Sequence, residues 1–382
     1  MKKGFKFILV IVVLVLAVSF VGCGFGSIIW GDDEDEPKIL HTLTQSVNIL
    51  KNSDVVVNTV DNSTLSPMSV SEVVEKVADS VVEINTVISS NSAAAGSGVL
   101  FATNDTRYFI ITNEHVVNDA MSITVILTDG TRHNASIVSS DYKNDIAVIS
   151  ILKSGVDVDK YGTVTVPSDN YKIRVGDTAI AIGNPLGSLG GTVTTGIVSA
   201  LDREIYVEDR YMTLLQTDAA INSGNSGGAL FDTYGQLIGI VNAKATDVGI
   251  EGIGFAIPVR TAVSTACDLI IEGHVTGRPA IGITVVAFSS SSQIYQFSHE
   301  NNWKEFFDYT GDAIGLYVKE VTNQDSGLQE GDYIVSADGV TVTTQVAFAK
   351  VINSHKAGEQ LQLQIRRKGE LMNISVTLIE AV

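Results

Sequence analysis

The hydrophobic pattern divides the chain into distinct stretches. Lys2, Lys3 and Lys6 precede an apolar run that carries no charge from residue 7 to residue 30. Residues 31–67 are polar and open on the acid run DDEDE at 32–36. From 69 to 79, SVSEVVEKVAD places Val70, Val73, Val74 and Val77 at helical spacing, which predicts an amphipathic helix. Short runs of strand character follow at 80–88, 96–102, 108–113, 122–128, 134–141, 145–151, 177–184, 194–201, 214–219 and 236–245. Most alternate or are fully apolar, Gly, Asn and Asp bound them, and no long helix separates them. That pattern predicts a mainly β fold, a barrel or a sandwich. No period of 20–50 residues is present, which argues against a solenoid.

The tail is organised differently. A short helix is predicted over 263–272, ending at Gly273, with Cys267 as a small packed hydrophobe. AIGITVV (280–286) reads as a strand, then comes a polar spacer of about 28 residues, then the strand GLYVKEV (315–321). DYIVSADGVTV (332–342) reads as a hairpin around Asp338-Gly339, a pair suited to a tight primed turn. An amphipathic helix over 345–354 presents Phe348, Val351 and Ile352 on one face. QLQLQIRR (360–367) and LMNISVTLI (371–379) alternate strictly about the turn Lys368-Gly369. These elements predict a separate small α+β module.

A positive start and an apolar middle are what export machinery reads. Three endings fit the first residues. SFVGC resembles a bacterial lipoprotein signal, with Cys23 as the lipid-bearing residue, although Phe20 is an imperfect match three places before it. An uncleaved helix is the second, since the 24 uncharged residues can span a bilayer core of roughly 30 Å, with Trp30 at the interface. The third is a cleaved signal with a soluble product. The expectation is an anchor, by lipid or helix, in the bacterial cell membrane, with everything after it extracytoplasmic. Residues 1–30 are then signal or anchor, and 31–67 an acidic flexible linker. Residues 68–262 form the β-rich domain, and 263–382 the connecting helix and small module.

Composition narrows the function. At 382 residues the chain suits two domains, and 45% hydrophobic content against 18% charged excludes wholesale disorder. The net charge of −18 offers no basic face for nucleic acid. Two cysteines, Cys23 and Cys267, exclude a disulfide framework. The six histidines, at 41, 115, 133, 274, 299 and 355, show no metal-ligand spacing. Chemistry without a metal or cofactor is the expectation.

TNEHVV (112–117), NDIAVI (144–149) and GNSGG (224–228) supply His115, Asp145 and Ser226. A serine hydroxyl is a weak nucleophile at neutral pH and needs an adjacent base. Histidine can take that proton and return it to a leaving group, and a buried carboxylate holds the ring in the right tautomer. The glycines around Ser226 permit a tight turn. Its backbone amides, from Gly224 through Asn225 to Ser226, then point at one spot, those of Gly224 and Ser226 cradling an oxyanion. GNSGG also matches the G-x-S-x-G nucleophile elbow, which needs a helix after the serine and the histidine later in the chain. Here β-like sequence follows Ser226, and His115 and Asp145 precede it. The order His, Asp, Ser fits a double β-barrel protease instead.

With those segments, SVVEI, GSGVLF, IAIGNPLG, TTGIVSAL, QTDAAINSGNSGG and GIGFAIP, residues 69–260 resemble the HtrA/Deg family of trypsin-like serine proteases. AIGI, GLYVKEV and SGLQEGDYIVSADG resemble a PDZ domain. The resemblance implies a chymotrypsin-like double β-barrel followed by PDZ. His115 becomes the general base, Asp145 its orienting partner and Ser226 the nucleophile. It implies a homotrimer that cleaves misfolded exported polypeptides. Ala220 stands where digestive relatives place a carboxylate, so the S1 pocket is expected to take small or medium apolar side chains, with Ile221 and Ala245 as walls. Asn225 before the serine, in place of Asp, removes activation by a newly cut N-terminus. Glu114 reads as a surface or capping residue. Peptide C-termini would add a strand between 281–286 and the 345–354 helix, their carboxylate held by amides near Ile281, Gly282 and Ile283. Ala280 departs from the aromatic or Leu usual before that Ile-Gly. The loop LDREIYVEDRYM (201–212) matches the family's sensor loop and would relay peptide binding to the oxyanion site. A chaperone or PDZ scaffold with an idle protease site, and an esterase, are the alternatives.

Overall fold

The computed structural model describes residues 47, 50, 54–60, 65–89, 92–184, 191–207, 210–222, 224–243, 252–301 and 314–381. Strand β1 (Val56–Val60) comes first, then helix α1 (Val70–Val77). The first ring uses β2 (Val81–Ser89), β3 (Ser92–Thr103), β4 (Arg107–Thr112), β5 (Ser122–Ile126), β6 (Arg132–Asp141) and β7 (Ile146–Leu152). Their order is β2-β5-β6-β7-β4-β3, and β3 pairs back onto β2, so the sheet closes. A short helix α2 (Glu114–Val117) lies between β4 and β5. After β8 (Thr165–Pro167) come β9 (Thr178–Gly183), β10 (Thr192–Val207), β11 (Arg210–Thr217), β12 (Ala229–Phe231), β13 (Leu237–Val241) and β14 (Gly254–Pro258). These last six close a second barrel in the order β10-β11-β14-β13-β12-β9.

The strands read as continuous apolar runs because both of their faces are buried. In β4 and β7, Ile110, Ala147 and Ile149 point into the first barrel, beside Val82, Ile84, Leu100 and Val125. Their alternate neighbours Phe109, Ile111, Ile146 and Val148 face a second core. The second barrel repeats the device with smaller residues. Ala179 and Ala181 fill its interior with Val198, Leu230 and Val241, while Ile180 and Ile182 face outward into that same second core. A period of two thus places every other side chain in a different core.

That shared core is capped by α3 (Val259–Ile271), whose Val259, Val263, Ala266 and Cys267 pack into it. The helix read as a connector therefore starts four residues earlier and belongs to the barrels' packing. Cys267 is a buried free thiol, as expected of a packed hydrophobe, and burial pushes its pKa well up. Helix α1 opens with an S-x-x-E capping box. Ser69 Oγ accepts from Glu72 N, and Glu72 Oε2 accepts from Ser69 N at 2.8 Å. The flexible-linker expectation through residue 67 is corrected at 56–60. β1 pairs antiparallel with β3 at Val56↔Thr103 and parallel with β8 at Asn58↔Thr165, and Val57 is buried.

The tail forms β15 (Pro279–Ala280), β16 (Ile283–Phe288), helix α4 (Ser291–Asn301), β17 (Gly315–Val321), β18 (Tyr333–Ala337) and β19 (Val340–Thr341). Helix α5 (Gln345–Asn353), β20 (Gln360–Arg367), β21 (Glu370–Thr377) and β22 (Ile379–Glu380) complete it. The sheet runs β16-β17-β18-β20-β21, with β19 on β18 and β15 paired with β22. Leu361, Leu363 and Ile365 of β20 meet Phe348 of α5 in one core. Both hairpins turn on residues with positive φ, Asp338-Gly339 and Lys368-Gly369, as the primed-turn reading requires. Part of the expected polar spacer is α4, whose Ile294 and Phe297 pack with Phe288 and Tyr317. Cys23, the 7–30 apolar run and Ala245 lie outside the described residues. Among the described residues, no helix is long and apolar enough to cross a membrane.

Candidate active site

His115 rides on α2, just past the end of β4. Asp145 ends the turn that leads from β6 into β7, at φ 53°. Asn113 Nδ2 and Glu114 N both donate to the Asp145 carbonyl, at 3.0 and 3.2 Å, so the two loops are stitched before any side chain meets. The Asp145 carboxylate is fully buried. Its Oδ2 lies 2.8 Å from His115 Nδ1, and its Oδ1 accepts from His115 N at 3.1 Å. Asn242 Nδ2 also donates to Oδ2, at 2.9 Å, from the end of β13 in the other barrel. Arg210 Nη2 lies 3.2 Å from Oδ1. Nδ1 is held by the carboxylate, so the neutral ring carries its proton there and leaves Nε2 as the free base.

Ser226 stands in the turn before β12. Its hydroxyl accepts from Ala243 N at 3.2 Å, one residue past Asn242. A continuous chain of contacts therefore runs from His115 through Asp145 and the 242–243 pair to Ser226. The loop around the serine is built from two successive turns, with Asn225 N donating to Asn222 O at 3.0 Å and Gly228 N to Asn225 O at 2.8 Å. Gly224 takes φ 99°, a conformation that disfavours a side chain. Among the described residues, the amides of Gly224 and Ser226 donate to no acceptor. The amide of Asn225, grouped with them in the sequence reading, is consumed by its turn and is corrected out of the set. Ser97 braces the loop from β3: its N donates to Ser226 O at 2.8 Å and its Oγ to Gly224 O at 2.7 Å.

Ala220 and Ile221 lie together just upstream of the serine loop. The Ala220 carbonyl accepts from Thr194 Oγ1 at 2.9 Å. Ile221 covers Gly254 of β14, where an added Cβ would lie 2.5 Å from Ile221 Cγ1. Glu114 is corrected from surface residue to buried residue: it is 7% exposed, and its Oε2 lies 3.7 Å from Arg210 Nη1. In the tail, Ile281 is buried in the core, and the carbonyl of Gly282 accepts from Thr322 N and Asn323 N, both at 2.9 Å. Ile283 opens β16, and one turn on, Gln345 Nε2 crosses from α5 to Val285 O of β16 at 2.9 Å. No cluster of metal-ligating residues occurs among the described residues.

Sequence reasoning missed Asn242, Arg210 and Ser97. Asn242 left one sign, a polar residue ending the apolar strand LIGIV. Arg210 and Ser97 left none, because only the tertiary fold brings them here.

Comparison with known proteins finds related sequences and folds. A model of the trypsin-like peptidase domain matches residues 96–240, and a PDZ domain model matches 279–378. Serine protease Do-like HtrB of Bacillus subtilis is 35% identical over 346 residues, covering 83% of this chain and 73% of the relative. Periplasmic serine endoprotease DegP of Escherichia coli is 36% identical over 290 residues, covering 75% of this chain and 57% of the relative. A serine endoprotease from Yersinia pestis superposes with a TM-score of 0.56 at 31% identity, covering 83% of this chain and all of that one. The HtrA-type protease AlgW with decapeptide gives 0.55 at 30% identity, covering 82% and 99%.

Proposed function

We propose a function from one premise: the chain belongs to the HtrA, or Do-like, family of serine proteases, with a trypsin-like peptidase domain and a PDZ domain. The protein is a serine endopeptidase regulated through its PDZ domain. We assign the chemistry to His115, Asp145 and Ser226. The Ser226 hydroxyl leaves the Ala243 amide and engages His115 Nε2. As Oγ attacks the scissile carbonyl, the hydroxyl proton passes to Nε2, and the carbonyl oxygen becomes an oxyanion facing the amides of Gly224 and Ser226. Each such donor lowers the barrier by about 3–4 kcal/mol. Collapse breaks the C–N bond, and the Nε2 proton leaves with the amine. Water repeats the cycle on the acyl-enzyme and frees Ser226. The observation that carries this reading is the buried Asp145 carboxylate, which faces His115 Nδ1 at 2.8 Å from the far side of the ring.

The S1 pocket is assigned to Ala220 and Ile221, with Ala245 as a further wall. Ala220 and Ile221 carry no charge, so small or medium apolar P1 residues suit it. The PDZ groove is assigned to the edge of β16 beside α5, with Ile281, Gly282 and Ile283 as the carboxylate loop. A peptide strand entering it must displace Gln345 from Val285 O. Regulation has a physical route in Lys350 of α5, whose Nζ lies 2.8 Å from both carboxylate oxygens of Glu204 on β10. We further infer misfolded extracytoplasmic polypeptides as substrates, a homotrimer, and a bacterial membrane anchor by helix or by lipid on Cys23. The relative named periplasmic and the export-like first residues support that location.

The deciding experiment labels the full chain with a fluorophosphonate and maps the modified peptide, alongside casein digestion. An adduct on Ser226, with digestion abolished in Ser226→Ala, is expected. Undiminished digestion by Ser226→Ala overturns the assignment.

A further inference from the structure

The Asp145 carboxylate has more partners than a histidine alone would require. Arg210 begins β11, directly across the hairpin from Val207. Its guanidinium is buried, and both of its terminal nitrogens and one ring-stacked face are used. Nη2 reaches Asp145 Oδ1 at 3.2 Å. Nη1 donates to the Tyr142 carbonyl and lies 3.7 Å from Glu114 Oε2. The guanidinium carbon stacks over the Tyr142 ring at 4.4 Å from its centroid. A buried arginine held on four sides has little freedom to follow solvent or salt.

Two consequences follow for the triad. Oδ1 is occupied by Arg210 and the His115 amide, while Oδ2 is occupied by His115 Nδ1 and Asn242 Nδ2. The carboxylate plane is thereby fixed, and the imidazole is aimed with it. The second consequence concerns charge. Arg210 sets one guanidinium beside two buried carboxyl groups, those of Asp145 and Glu114. Without Arg210 both carboxyl groups lose that cationic partner.

We propose that Arg210 is a positioning residue of this peptidase, fixing the Asp145 carboxylate and, through it, the orientation of His115. The inference rests on the assignment of His115, Asp145 and Ser226 to the reaction. Arg210 acts through Asp145 and touches neither substrate nor the scissile bond, so its loss lowers kcat and leaves KM nearly unchanged. A lysine there keeps the charge but loses the planar fork, so it restores part of the rate.

The test uses the full chain with a fluorogenic peptide, kinetics being normalised to sites titrated by fluorophosphonate. Arg210→Met is expected to lower kcat roughly 10–100-fold with KM within about 3-fold. Arg210→Lys is expected to recover at least a third of that loss on a logarithmic scale. Wild-type kcat per titrated site in Arg210→Met overturns the inference, as does an effect confined to melting temperature. If Arg210→Met does not fold, Arg210→Lys decides: a kcat lowered about 3–10-fold at unchanged KM supports the role, and wild-type kcat overturns it. Ser226→Ala and His115→Ala in the same assay separate the two readings. If both are inactive while Arg210→Met is unimpaired, only the Arg210 role falls. If both remain active, the triad assignment itself falls.

Discussion

Asn242 donates its side-chain amide to Asp145 Oδ2 at 2.9 Å, across the seam between the two barrels. Asp145 precedes β7 of the first barrel and Asn242 follows β13 of the second, so the bond joins halves that each close on themselves. Both residues are fully buried, and the acceptor is a carboxylate. A buried hydrogen bond to a charged group contributes about 1.5–3 kcal/mol. Asn242→Ala is expected to lower the unfolding free energy by about 2 kcal/mol and kcat roughly 10-fold. Asn242→Asp, which sets a second carboxylate against the first, is expected to be worse on both counts. Denaturant melts and peptide kinetics check this, and an Asn242→Asp protein as stable and active as wild type would contradict it.

The first glycine after the serine is a packing requirement as well as a turn residue. Gly227 takes φ 80°, and a Cβ there would lie 2.2 Å from the Ser97 carbonyl and 2.3 Å from Thr112 Oγ1. Neither neighbour is free to move, because Thr112 Oγ1 donates to that same carbonyl at 2.7 Å. Gly130 takes nearly the same φ, 83°, but has open space around it. Gly130→Ala is expected to cost about 1–2 kcal/mol, the left-handed strain alone. Gly227→Ala adds the clash and is expected to cost about 4 kcal/mol or more, with loss of fluorophosphonate labelling. Equal melting curves for the two variants would refute the packing argument.

These glycines show why much of the site could be read from the chain. GNSGG encodes a backbone shape, and shape-determining residues are local in sequence. The twin burial of β4 and β7 is also local, since FII and IAVI show it directly. What the sequence hid depends on long-range closure. Arg210 is 65 positions from Asp145 and reads as one more charge in a charged hairpin. Glu114 reads as surface for the same reason, because its burial beside Arg210 arises only when the fold closes. β1 was masked by the polar segment around it, since VVVNTV shows no clean alternation. In α4, only Ile294 and Phe297 mark a packed face among polar residues, too few to signal a helix.

Asp232, in the turn between β12 and β13, gives a pH test. Burial raises its pKa above the ordinary carboxylate value, against the lowering pull of the Gln236 amide, the Tyr171 hydroxyl, the Tyr234 amide and Lys76. The native protein therefore holds this proton more tightly than the unfolded chain does. The sign follows from linkage: the ionised group destabilises at neutral pH, and the penalty is relieved as pH falls through the raised native value toward about 3.9. Asn at 232 keeps an oxygen for the amides of Tyr234 and Gln236, both at 2.8 Å, and carries no charge. Asp232→Asn is expected to melt at or above the wild-type temperature at pH 7, with the gap closing by pH 4. A variant less stable at pH 7 than at pH 4, relative to wild type, would reverse the assigned sign.

The strand edge at Gly254 sets how deep the S1 pocket can be. Ile221 packs against Gly254, where an added Cβ would lie 2.5 Å from Ile221 Cγ1. On the proposed S1 assignment the floor is an apolar side chain pressed onto backbone, and a long P1 residue is excluded by volume rather than by charge. Ile221→Ala removes three methyl-sized groups from that floor without touching Gly224, Ser226 or His115. One added or missing methylene in an apolar pocket changes discrimination by about 1–3 kcal/mol. With peptides that differ only at P1, the variant is expected to gain roughly 10-fold or more in kcat/KM for Leu or Phe relative to Ala. Its fluorophosphonate labelling rate should stay near wild type, because the reacting groups are untouched. If the P1 ranking is unchanged while labelling is intact, Ile221 does not form the floor, and the pocket must be bounded by other residues.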